Sequence, residues 1–142
     1  GISVEGYFSQ EDGVEEEVVA EVRAAERTVD FMAFSFTSKP IAQAMARRLA
    51  GGVRVRGVFE ARNANSRYCR DDFLRDAGAE VHLDQNKYTM HHKVIVVDGA
   101  TVVTGSYNFS KSANTKNDEN VLVVHDPAFA REYTEEFESL IR

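Results

Sequence analysis

His91-His92-Lys93-Val94-Ile95-Val96-Val97-Asp98-Gly99-Ala100-Thr101-Val102-Val103-Thr104-Gly105-Ser106-Tyr107-Asn108 reads as two strands joined by a tight turn. The run from Val94 to Val97 is β-branched throughout, which suits a buried strand. Asp98-Gly99 supplies a two-residue hairpin turn, and Thr101 to Thr104 returns beside it. A tight turn there places Val97 opposite Ala100, Lys93 opposite Thr104 and His91 opposite Ser106. His91 and Lys93 then share one face, with Asn108 a step further along it, while His92 points the other way. A nucleophile, a cation and small hydrogen-bonding side chains are thereby expected on one surface. Asp98 sits at the turn, where Asp before Gly is favoured for local backbone reasons, and reads as structural.

Outward from this hairpin the elements alternate. Residues 2–8 read as a strand and 13–26 as a Glu-rich helix with Val and Ala inside; Thr28 to Phe36 reads as a buried strand. Ser38-Lys39-Pro40 opens the next helix and Gly51-Gly52 closes it. Val53 to Phe59 is a strand, Asp71 to Ala77 a short helix, and Ala79 to Leu83 a short strand. After the hairpin come a strand from Glu119 to Val124 and a helix from Pro127 to Ile141. Early strand–helix alternation with a late hairpin predicts an α/β fold: a mixed β-sheet with helices on both faces, residues 1–142 forming one domain.

The hairpin residues resemble the phospholipase D superfamily, whose motif is His-x-Lys-x4-Asp followed by Gly-Ser-x-Asn. They stand here as His91-x-Lys93-x4-Asp98 and Gly105-Ser106-Tyr107-Asn108, with Glu119 in Asn117-Asp118-Glu119-Asn120 completing the pattern. Val4 to Ser9 and Asp30 to Thr37 also look like this family. The likeness is to its small single-motif members, the group of the bacterial endonuclease Nuc and the Zucchini or mitochondrial cardiolipin hydrolase proteins. The cysteine-rich insertion of Zucchini proteins is absent. The resemblance implies a phospholipase D-like α/β/α sandwich and a phosphodiesterase working through a covalent phosphohistidine. It implies His91 as nucleophile, with Lys93, Ser106 and Asn108 on the phosphate oxygens and Glu119 on the other ring nitrogen of His91. The motif occurs once and the chemistry needs two histidines, so a homodimer sharing both His91 side chains is expected. Asp98 and Gly105 are the structural members of the motif.

Charge bears on the substrate. The chain carries a net −6, yet residues 62–116 hold eight Lys or Arg against six Asp or Glu, leaving −8 for the remainder. Arg62, Arg67, Arg70, Lys87, Lys111 and Lys116 are candidates for tracking a phosphate backbone. Phe36, with Phe34, is a candidate base-stacking wall. Nucleic acid, single-stranded by preference, is the expected substrate. A cardiolipin-like phospholipid and a non-catalytic nucleic-acid-binding role are the alternatives.

No cofactor is expected and no metal is needed, because the hairpin presents Lys93 where a two-metal nuclease would place an acid. Asp71-Asp72 reads as a helix start. His82 and His125 fall in no recognisable arrangement. The single cysteine, Cys69, has no partner for a disulfide or a zinc site and reads as idle. No apolar run approaches the roughly 20 residues of a membrane span, so integral membrane contact is not expected. A start at Gly1 without methionine is expected of a processed secreted protein, a trimmed chain or an excised domain, with a periplasmic or secreted location favoured.

Overall fold

The computed structural model describes residues 2–8, 13–64, 66–85, 92–110 and 119–141. In chain order its elements are β1 (Ser3–Phe8), α1 (Val14–Arg23), β2 (Thr28–Ala33), α2 (Lys39–Ala50), β3 (Arg54–Glu60), α3 (Asp71–Asp76) and β4 (Glu80–Asp84). There follow β5 (Lys93–Val97), β6 (Thr101–Gly105), β7 (Asn120–His125) and a last helix, here α4 (Pro127–Ile141). The seven strands form one sheet in the order β1-β7-β6-β5-β2-β3-β4. β2, β3 and β4 run parallel, and β5 joins β2 antiparallel, as do all pairings from β5 across to β1. The sheet is therefore mixed, as expected.

Alternation along the strands feeds two cores. Phe31, Ile95, Val97, Val103 and Val123 point to one face and pack with Val18 and Val22 of α1 and Ile41 and Met45 of α2. Met32, Val58, Val94, Val96 and Val102 point to the other and meet Ala130 and Phe137 of α4. Helices thus cover both faces. The first core is built round an aromatic cluster in which Phe31 meets Phe36 and Phe59 at 5.4 Å between ring centroids. Gly57 makes room for it: a Cβ there would lie 2.0 Å from the Phe31 ring. α4 is pinned by Arg56 of β3, which bonds Asp30 of the neighbouring strand and Glu138 of α4, both at 2.9 Å. Its guanidinium also lies 4.8 Å from the centre of the Phe137 ring.

Local signals acted as they read. Ser38 caps α2 by accepting from the Ile41 amide at 3.2 Å, with Pro40 in the first turn. β2, however, stops at Ala33 rather than running to Phe36.

The hairpin register also departs from expectation by one residue. Asp98 and Gly99 take the left-handed conformations of the predicted tight turn, φ 55° and 63°, and the Ala100 amide bonds Val97 at 3.0 Å. Yet Val97 is paired with Thr101 and Val94 with Thr104. Ala100 is an extra residue, a bulge just past the turn, and its carbonyl is taken by the Asp126 amide at 2.9 Å. Thr104 therefore sides with Val94 towards α4, not with Lys93, and the continued register brings Gly105 level with Lys93.

Candidate active site

Strand order gathers most of the motif at one end of the central strands. Lys93 opens β5 opposite Ala33 at the end of β2. Gly105 closes β6 opposite Val121, and Glu119 directly precedes β7. The ends of β2 and β6 and the starts of β5 and β7 are thus side by side. Lys93, Ser106, Asn108 and Glu119 all belong to this end of the sheet. His91, Lys87, Lys111 and Lys116 lie outside the described residues, so His91 is located only by its place two residues before Lys93.

Gly105 is required where it stands. Its φ is 150°, and a Cβ would sit 2.3 Å from the Asn120 carbonyl oxygen. That close approach lets Asn120 bind the next residue three ways. The Ser106 amide donates to the Asn120 carbonyl and to its Oδ1, both at 3.1 Å, and the Ser106 hydroxyl accepts from the Asn120 amide at 3.0 Å. Accepting that bond does not consume the hydroxyl's own proton. Tyr107 then turns fully inward. Burial, with Glu15 and Glu16 nearby, pushes its hydroxyl well above the ordinary tyrosine range. Asn108 is half-buried, and its Oδ1 is shielded from solvent with no partner among the described residues. Phe109 anchors the segment through its carbonyl, which accepts from Thr37 and Ser38 at 2.8 and 2.9 Å.

The aromatic expectation needs correcting. Phe36 is 1% exposed and lies in the core between Phe31, Phe59 and Phe109, so it cannot stack on a substrate. Once β2 ends, the chain folds inward to bridge Phe109, and that carries Phe36 with it. Phe34 is the ring at the site: half-buried, with Lys93 Nζ 5.4 Å from its centre. Its amide bonds the His92 carbonyl at 3.0 Å, and its carbonyl accepts from Asn63 Nδ2 at 2.8 Å. His92 points to the α4 face, 3.4 Å from Glu136. Of the arginines, Arg62 pairs with buried Glu60, Arg67 stacks on Tyr68 at 5.0 Å, and Arg70 bonds the Tyr68 carbonyl at 3.0 Å.

Asp98 is at the opposite end of the hairpin. Its carboxylate accepts from the amides of Arg27 at 2.7 Å, Thr28 at 2.9 Å and Glu26 at 3.0 Å. Partial burial pushes its pKa up, but these amides outweigh that and hold it below the ordinary aspartate value. The motif aspartate thus clamps the turn to the start of β2.

The family model described as cardiolipin synthase, PLD-like domain, matches residues 18–141. The chain belongs to the phospholipase D-like family. The PLD-like fold is shared with the solved structure of Nuc from Salmonella typhimurium, a phospholipase D family member. The two agree with a TM-score of 0.93 at 32% identity, covering 99% of this chain and 94% of Nuc. Mitochondrial cardiolipin hydrolase of Xenopus tropicalis is 36% identical over 116 residues, 82% of this chain and 55% of that protein. Phospholipase D of Rickettsia conorii is 29% identical over 126 residues, 89% of this chain and 63% of that protein. The PLD-like chain therefore spans roughly half to two thirds of these two curated relatives. None of its described helices is long and apolar enough to cross a membrane.

Two features of this PLD-like chain escaped sequence reading. Tyr107 is buried beneath the Gly-Ser-x-Asn segment, and His125 is engaged by Glu5 at 3.0 Å and Thr101 at 3.0 Å. Strand alternation puts Phe34 and Phe36 on one face and Phe31 on the other, but periodicity carried no sign of where β2 stops.

Proposed function

We propose that this protein is a phosphodiesterase that cleaves nucleic acid, single strands by preference, through a phosphohistidine intermediate at a site shared by two copies of the chain. The observation that carries the reading is the strand order that brings Lys93, Ser106, Asn108 and Glu119 to one end of the central strands, with Lys93 two residues from His91. A phosphodiester needs a nucleophile, charge stabilisation on the non-bridging oxygens and a proton for the leaving oxygen. A neutral His91 nitrogen attacks phosphorus, and the bond to the leaving oxygen breaks. The partner subunit's His91 protonates that oxygen, then takes a proton from the water that hydrolyses the phosphohistidine and frees the first His91. Lys93 and Asn108 bind the non-bridging oxygens, and the Ser106 hydroxyl proton adds a third contact. Glu119 accepts from the other ring nitrogen of His91 and sets its tautomer. The imidazole pair holds one proton between its members, so a bell-shaped pH profile is expected. No step of this scheme calls for a metal.

Nucleic acid is favoured over lipid because the match to Nuc runs over nearly the full length of both chains. The loop after β3 adds Arg67 and Arg70 to the positive charge offered to a phosphate chain, while Arg62 is engaged by Glu60. For the second copy we assign the exposed apolar face of β1 and β7, where Ile2, Val4, Phe8 and Leu122 stand out of the surface. Phe8 is paired with Asn120, the residue bonded to Ser106, so this face borders the site. A phospholipid hydrolase is the second reading, favoured by relatives called cardiolipin hydrolase and phospholipase D.

The test is cleavage of end-labelled single-stranded DNA in excess EDTA, with His91→Asn protein alongside and RNA and cardiolipin vesicles as parallel substrates. Cutting of nucleic acid by the wild type alone is expected. Turnover of cardiolipin with intact nucleic acid would transfer the assignment to lipid, and no turnover of any substrate would refute the enzymatic reading.

A further inference from the structure

Glu5 of β1, Glu21 of α1 and His125 of β7 come from three elements and meet on the α1 face of the sheet. Their place is the end remote from the phosphodiester site. His125 is paired with Ser3 and Thr101, whereas Asn120 at the other end of β7 is paired with Phe8 and bonds Ser106. One ligating atom from each of Glu5, Glu21 and His125 lies within 4.8 Å of the other two. Among the described residues this is the one place where three such side chains converge. All three are half-buried.

We propose that Glu5, Glu21 and His125 bind one divalent cation of the zinc class, as a clip joining β1, α1 and β7 that is separate from the phosphodiester site.

The donors fit such an ion. One imidazole nitrogen and two carboxylates make a borderline set: too nitrogenous for magnesium or calcium, too hard for copper(I), suited to zinc or cobalt. His125 Nε2 and Glu5 Oε1 are 3.0 Å apart. Two ligands at zinc's bond lengths of about 2.0–2.1 Å and a tetrahedral angle are separated by about 3.3 Å. These atoms need to part by only a few tenths of an ångström. Glu21 rides on a half-buried stem and closes the set by a side-chain rotation, leaving a fourth position to water.

An outer layer is already in place. The Thr101 hydroxyl lies 3.0 Å from His125 Nδ1, where it can accept the Nδ1 proton and leave the Nε2 lone pair for a metal. The Tyr7 hydroxyl donates to Glu5 Oε2 at 2.6 Å, which leaves Oε1 facing His125. Both ligands are therefore oriented by a partner that is not itself a ligand, as metal-binding imidazoles and carboxylates commonly are. Without a cation, the Glu5 and Glu21 carboxylates, with Glu17 alongside Glu21, crowd round a single imidazole. A divalent ion would neutralise them together and fasten edge strand β1 to the body of the fold.

The experiment titrates zinc into the 142-residue chain, stripped with EDTA and dialysed free of it, by calorimetry. Cobalt replaces zinc in a second series, read by visible absorption. One ion per chain is expected, with tetrahedral-type cobalt bands and a Tm rise of about 8 °C at a hundredfold excess over Kd. Glu21→Gln, at a half-buried helix position that tolerates the change, should weaken binding at least about tenfold. Thr101→Val keeps strand packing and should weaken it by about tenfold through loss of the Nδ1 partner. His91→Asn should bind zinc like the wild type. Absence of stoichiometric binding, binding untouched by Glu21→Gln and Thr101→Val, or binding lost with His91→Asn would each overturn the proposal.

Discussion

Replacing Asp98 separates a structural from a catalytic role for the motif aspartate. Its carboxylate receives three backbone amides, from Glu26, Arg27 and Thr28. A hydrogen bond to a charged group contributes about 1.5–3 kcal/mol, but Glu26 and Arg27 are exposed and water replaces much of their loss. Thr28, half-buried, bears most of the cost, giving about 2–3 kcal/mol for Asp98→Ala from hydrogen bonding. The backbone adds to it: φ is 55°, a left-handed conformation that Asp and Asn tolerate and Ala does not, for about 1 kcal/mol more. Asp98→Ala should therefore cost about 3–4 kcal/mol and lower Tm by roughly 10–14 °C for a chain of this size. Asp98→Asn keeps the backbone tolerance and one acceptor oxygen and should cost about 1 kcal/mol. The pH dependence has a definite sign. The folded pKa lies below the unfolded value, so this stabilisation is complete above the unfolded pKa of about 3.9 and is lost as pH falls through the folded pKa. The stability gap between wild type and Asp98→Asn should thus be full above about pH 5 and narrow below pH 4. Thermal and urea unfolding followed by circular dichroism measure it, with turnover assayed on the folded fraction at 20 °C. Full stability with abolished turnover in Asp98→Asn would refute the reasoning and make this carboxylate a participant in the chemistry.

Other substitutions test the packing and the assembly. Gly57→Ala drives a methyl into the Phe31 ring and should destabilise by about 1–3 kcal/mol in urea melts, whereas Gly99→Asn, at φ 63° with nothing within 4 Å, should be nearly neutral. Arg56→Met leaves Asp30, only 5% exposed, as an uncompensated charge, so about 3–5 kcal/mol should be lost. Adding Asp30→Asn should restore much of it, and strict additivity in that double-mutant cycle would contradict the pairing. Burial, with the Asp71 carboxyl alongside, pushes the Cys69 thiol up to about 12, so iodoacetamide at pH 8 should leave Cys69 unmodified in the folded protein and label it fast in urea. Leu122→Glu places a charge on the exposed apolar face and should turn a dimer into monomers by sedimentation, with turnover falling in step; an active monomer would refute the shared site.

Much of this protein was legible in the order of its residues because the rules involved act over a few positions. Ser38 before Lys39-Pro40 capped a helix, Asp98-Gly99 made a left-handed turn, and the β-branched run after Lys93 made a buried strand. These outcomes depend on local sterics and on hydrogen bonds within one turn of chain. The mixed sheet with helices on both faces followed from the alternation of such elements. The motif itself singled out the residues that the proposed chemistry uses. Where local rules met distant partners, they ran out. Ala100 became a bulge because Asp126 claims its carbonyl, and that moved Thr104 to the other face. Phe34 rather than Phe36 reached Lys93, because β2 ends where Phe109 takes over the pairing. Asp98 found its donors some seventy residues earlier. His125, which no spacing connected with anything, met Glu5 and Thr101 only because β7 is inserted between β1 and β6. Sequence determined the elements and the family they belong to. Strand order and burial decided which side chains share a space, since both are set by packing between segments that sequence spacing does not relate.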